Sequence, residues 1–111
     1  MTDIVDVTTI RTLNDRFRQS LRGGMLVMTA GVIALGQERQ LKILEAVARF
    51  NSFDEDNDPY GEHDFGALEV EGERLFFKID YYDQRLSAHS PEPSDETATK
   101  RVLTIMLAEE Y

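Results

Sequence analysis

Leu68-Glu69-Val70-Glu71-Gly72-Glu73-Arg74-Leu75-Phe76-Phe77-Lys78-Ile79-Asp80-Tyr81-Tyr82 is the stretch whose reading decides the fold. Leu68 and Val70 point one way, with Glu69 and Glu71 opposite. Leu75, Phe77, Ile79 and Tyr81 then point one way, with Arg74, Phe76, Lys78, Asp80 and Tyr82 opposite. Alternation of this kind is the signature of strands with one buried face. Glu71-Gly72-Glu73 between the two runs is a compact turn containing a glycine, so the pair is expected to form an antiparallel hairpin. Phe76 and Tyr82 on the second side indicate that this side is partly covered or used.

Immediately upstream lies Asp54-Glu55-Asp56-Asn57-Asp58-Pro59-Tyr60-Gly61-Glu62-His63-Asp64-Phe65-Gly66, a connection rich in acids, glycine and aromatics. Before it, Leu41, Leu44, Val47 and Ala48 form a helical stripe from about Gln37 to Phe50, with Glu38, Arg39, Lys42, Glu45 and Arg49 on the wet side. Met25–Ala30 is an apolar run without alternation, expected to be a strand covered on both faces and ended by Gly31. Ile10, Leu13, Phe17 and Leu21 mark a first helix from about Val7 to Leu21, with Gly23-Gly24 as its stop and Arg11, Arg18 and Arg22 on another side. Residues 1–6 carry no strong pattern and are expected to fray.

Downstream, Pro91 and Pro93 punctuate a loop from Ser87 to Glu96. Ser94 or Asp95 is expected to cap a last helix reaching about Glu109, with Val102, Ile105 and Met106 on its apolar face. The resulting expectation is an α+β fold in the order α-β-α-β-β-α, a small, mainly antiparallel three-stranded sheet with helices packed on it. At 111 residues the chain reads as one domain, 1–111.

Composition narrows the function classes. With no cysteine, disulfides, thiolate metal sites and cysteine nucleophiles are excluded. No apolar run has the roughly 18 residues of a membrane span, and acids stand near the N-terminus where a secretory leader would carry bases, so a cytoplasmic protein is expected. The net charge of −9 is uneven: residues 51–96 hold fourteen acids against three bases, whereas residues 1–50 hold seven bases against five acids. Such a segment repels phosphate backbones and favours a basic protein surface as partner, with direct nucleic-acid binding disfavoured.

Three chemistries compete for the acidic stretch. Asp54, Asp56 and Asp58 alternate like the first ligands of a calcium loop and offer a site for Mg²⁺ or Ca²⁺. However, Pro59 and Phe65 stand where that loop needs glycine and a bidentate glutamate. His63, flanked by Glu62 and Asp64, is the acid–base candidate, but neighbours on an extended chain point apart, so adjacency does not make a dyad. A role in holding the loop by hydrogen bonds is the preferred reading of His63. Recognition is the third option: Asp54, Glu55, Asp56, Asp58, Tyr60, Glu62, Asp80, Tyr82 and Asp83 combine carboxylates with aromatics suited to a basic partner.

The segments Leu13–Arg18, Met28–Val32, Asn57–Gly66, Phe77–Asp83 and Arg101–Ala108 together resemble a family of short bacterial proteins catalogued as a domain of unknown function. Asn57-Asp58-Pro59-Tyr60-Gly61-Glu62-His63-Asp64-Phe65-Gly66 is the most specific part. The resemblance implies a bacterial, cytosolic protein of the kind carried on plasmids and other mobile elements, and brings no catalytic residue with it. The expected function is a small acidic, non-enzymatic protein-binding module, in one form an inhibitor or defence-countering accessory of a nucleic-acid-handling partner. The alternative is a metal-dependent hydrolase using Asp54, Asp56, Asp58, Glu62, His63 and Asp64.

Overall fold

The computed structural model describes residues 4–111. Helix α1 spans Ile4–Ser20, β1 Gly24–Met28, α2 Ala30–Ala34, α3 Gln37–Arg49, β2 Phe65–Val70, β3 Glu73–Tyr82 and β4 Lys100–Leu107, followed by a 3₁₀ turn at Ala108–Glu110. The expected fraying of residues 1–6 falls outside the described residues for 1–3, while residues 4–6 form the first turn of α1. Among the described residues no helix is long and apolar enough to cross a membrane.

The α+β class holds, but the sheet is four-stranded and mixed rather than three-stranded and antiparallel, in the order β1-β4-β3-β2. The hairpin forms as read, with Leu68 opposite Leu75 and Val70 opposite Glu73. Glu71 and Gly72 both take positive φ, at 51° and 84°. That is the backbone of a two-residue turn whose twist matches the strands it joins.

The expected last helix is instead β4, the central strand. It runs antiparallel to β3, with Phe77 opposite Ile105 and Ile79 opposite Leu103, and parallel to β1. Val102, Ile105 and Met106 fit a helical spacing, but Arg101, Leu103 and Ile105 equally fit a strand face. A central strand apolar on both faces does not alternate, so its pattern is ambiguous. Val102, Thr104 and Ile105 are β-branched and favour the extended form. Asp95, expected to cap that helix, caps a turn by accepting from the Thr97 N–H and hydroxyl.

The position of β1 is the complementary correction. It lies at the sheet edge, with Met25 and Val27 41% and 38% exposed, and is not covered on both faces. Gly31 does not break the chain after it but sits within the short helix α2.

One sheet face carries the core. Leu75, Phe77, Ile79, Leu103 and Ile105 meet Ile10 and Phe17 of α1, Val32 of α2 and Ile43 and Val47 of α3. The other face is partly covered as Phe76 suggested: Phe65 and Phe76 lie tilted against each other and Tyr111 meets both edge-on, with centroids 5.3–5.9 Å apart.

Candidate functional site

The connection between α3 and β2 is fastened to α1 and the end of β3 by a buried polar network. Its centre is Asn14, which is fully buried. Asn14 Nδ2 donates to the Glu62 carbonyl at 3.0 Å and to the Tyr81 hydroxyl at 2.7 Å. Tyr81 in turn donates to Glu62 Oε1 at 2.7 Å. Arg101 Nε donates to Asn14 Oδ1 at 2.7 Å, and its Nη2 donates to the Pro93 carbonyl at 2.7 Å. Burial, together with the Glu62 carboxylate beside it, pushes the Tyr81 phenol well above its ordinary range, so it stays a donor.

A second strand of the network runs through Arg18. This buried guanidinium donates to the Val47 and Phe50 carbonyls, closing the end of α3, and to Asp15 Oδ1 at 2.7 Å. It also lies over the rings of Phe53 and Phe77, at 5.2 and 5.6 Å. The same Asp15 reaches His63, whose Nδ1 lies 2.9 Å from Oδ1. The His63 ring stacks flat on Phe53 at 3.9 Å, and its backbone N–H donates to Asp58 Oδ1. His63 adopts φ of 58°, a left-handed turn that a histidine tolerates better than a branched residue does.

The acids expected to act together are dispersed. Asp58 is buried and turned inward against His63. Asp54 Oδ1 accepts from the Asp56 and Asn57 N–H groups, organising its own turn. Asp83 likewise accepts from the Arg85 and Ser87 N–H groups. Among the described residues no three His, Asp or Glu side chains are grouped as a metal ion would need. Glu55, Asp56 and Tyr60 face solvent, and Tyr60 is 78% exposed.

Asp64, Asp80 and Tyr82 meet beside the end of β3, and the charge of Glu62 acts on Asp64. A shallow cleft of about 280 Å³ there is lined by Asp64, Ile79, Asp80, Tyr81, Tyr82 and His89. Asp80 has a cation at hand, Lys78 at 3.1 Å. Asp64 makes no ion pair among the described residues. Burial, followed by the charges of Glu62, Asp58 and Asp80, pushes its carboxyl up to about 6.

Asn14, Asp15, Arg18 and Arg101 were not singled out as site residues by their sequence. One signal was present: Asn14 falls on the same helical stripe as Ile10, Phe17 and Leu21, and a polar residue on an apolar stripe needs partners inside the fold. Arg18, expected on another side of α1 than the apolar stripe, is 3% exposed. Its long side chain reaches the open end of α3, a contact that no local spacing encodes.

Fold and site together define a small α+β protein whose acidic connection is locked to the first helix by buried amide, phenol and guanidinium groups. The chain belongs to the family described as "Protein of unknown function (DUF3768)", whose model matches residues 28–110. No curated protein and no solved structure gives a significant match.

Proposed function

We propose that the protein is a non-enzymatic binding module that presents an acidic, tyrosine-bearing surface to a basic protein partner. An inhibitory or defence-countering action on a nucleic-acid-handling protein is the form of this activity that best suits the charge. The observation that carries the reading is Asp64: a half-buried carboxyl crowded by Glu62, Asp58 and Asp80, with no cation of its own among the described residues. A lysine or arginine from outside would relieve that crowding. Tyr82 stands beside the cleft, and Glu55, Asp56 and Tyr60 extend the exposed acidic surface along the connection. His63 is assigned to the scaffold, since its ring is held by Asp15 and Phe53.

The test is affinity capture at increasing salt, comparing the native chain with a Glu55→Gln/Asp56→Asn/Asp80→Asn variant. Capture of a basic protein that weakens as salt rises and is lost in the variant supports the reading. Salt-insensitive capture, or capture unchanged in the variant, would count against it.

A further inference from the structure

A second cleft lies away from the acidic connection, between the C-terminal half of α1 and the segment leading into β4. It has a volume of about 470 Å³, and its lining includes Arg16, Arg22, Arg101, Ser20, Thr97 and Phe17. That size falls within the range of small-ligand sites.

Arg101 sets this cleft apart from a chance surface hollow. It is 4% exposed, yet it makes no ion pair among the described residues. Its Nε and Nη2 are taken by Asn14 and Pro93, while no partner holds Nη1 among the described residues. Arg18 Nε is the one fully buried side-chain nitrogen or oxygen there without a partner, so Arg101 Nη1 retains contact with solvent. Arg101 lines the cleft, and Nη1 is its one guanidinium nitrogen without a partner among the described residues.

A buried guanidinium held in place by an amide, a carbonyl and the Tyr81 ring 5.2 Å beneath it is a fixed donor. Burying such a charge without a counter-ion is costly, and burial alone lowers the Arg101 pKa. Arg16 and Arg22 are exposed and unpaired among the described residues, adding two cations at the rim. Ser20 and Thr97 also line the cleft, but their hydroxyl protons are given to the Arg16 carbonyl and to Asp95, so the guanidinium groups are the donors it offers. Glu96 is the one acid in the lining. Its charge acts on Arg101, but it comes to no ion-pair distance of that residue.

We propose that this cleft binds the phosphate group of a small phosphate monoester. Arg101 Nη1 is the fixed inner donor, and Arg16 and Arg22 close over the anion from the rim. Three guanidinium groups against one carboxylate suit a doubly charged oxyanion, which planar guanidinium donors recognise well. A small ligand is favoured over a nucleic acid because the chain carries −9 overall, a charge that a long polyanion meets and a ligand confined to the cleft does not.

The test is a two-dimensional amide NMR titration of the full chain with inorganic phosphate, adenosine monophosphate and adenosine, and in parallel with a short single-stranded DNA. Phosphate and the monophosphate should shift the Gly23, Thr97 and Thr99 amides saturably, and adenosine should not. Arg16→Gln and Arg22→Gln should each weaken the monophosphate about tenfold, the factor expected for one lost charge-assisted hydrogen bond, without changing Tm. Absence of saturable shifts at these amides would overturn the proposal, as would unchanged affinity in both variants. Tighter binding of the DNA than of the monophosphate at physiological salt would also overturn it. Because none of these probes touches the acidic surface, failure here leaves the protein-binding reading standing.

Discussion

His63 shows how a residue that looks catalytic in sequence serves a fold. Its Nδ1 lies against Asp15, whose other neighbour is Arg18, and its ring face is covered by Phe53. The Asp15 contact fastens the connection to α1, while Phe53 and Asp58, 3.7 Å from Nε2, hold the ring within the connection itself. His63→Ala removes one hydrogen bond to a carboxyl group and one stacking contact, together about 2 kcal/mol. Tm measured by calorimetry should fall by on the order of 10 °C at this chain length. Asp64 behaves in the opposite sense. Its carboxyl rises from 3.8 to about 6 on folding, so the native state holds the proton more tightly than the unfolded chain does. The contribution of Asp64 to stability should therefore be largest below pH 4, fall as pH rises towards 6, and level off above it. Asp64→Asn should raise Tm at pH 7, and the gain should vanish at pH 4. Chemical denaturation at the two pH values measures this directly; an equal effect at both would show that the crowding of Glu62, Asp58 and Asp80 does not act on this residue.

Among the elements, the hairpin and α3 were legible in the sequence because each has a strict period and a clean stop. Gly72 and the alternation through Tyr81 leave one register open to the hairpin. In α3 Val47 is buried as read, but Leu41, placed on the apolar stripe, is 62% exposed, and Ile43, left off it, is fully buried. The strands at the edge and centre of the sheet were not legible, because an apolar run does not reveal how many neighbours it has. Met25–Ala30 has the composition of a buried strand and lies at the edge, whereas Val102–Leu107 has the spacing of a helix and lies at the centre. Only pairing between distant segments separates these cases, 77 residues apart for β1 with β4 and 18 to 32 apart for β3 with β4, and no local pattern records it. The close approach at Gly66 was likewise hidden. A Cβ at this position would collide with the Phe77 ring and come within 2.7 Å of Phe50. Gly66→Ala should cost about 1–3 kcal/mol through overpacking, read as a lower denaturation midpoint with an unchanged slope. The neighbouring Ala67 is exposed, and Ala67→Ser serves as the control that should leave the midpoint in place.

At the scale of the whole molecule, charge and fold divide the surface in two. The acidic connection and the end of β3 gather Glu62, Asp64 and Asp80 with Tyr82, while the far end of α1 gathers Arg16 and Arg22 around the buried Arg101. The asymmetry was visible in the sequence as a −11 segment beside a basic first half. Which acids remain free to act was not, because Asp54, Asp58 and Asp83 are consumed in organising their own loops. Between the two regions runs the chain of hydrogen bonds from Arg101 through Asn14 and Tyr81 to Glu62. The scaffold and the proposed recognition surface are built from neighbouring residues, and mutation is expected to separate them. The most direct measurement is partner retention by His63→Ala and by the Glu55→Gln/Asp56→Asn/Asp80→Asn variant, assayed side by side below the melting point of each. Retention kept by His63→Ala and lost by the charge-neutralised variant is the predicted result; retention lost by His63→Ala and kept by the charge-neutralised variant would contradict the account.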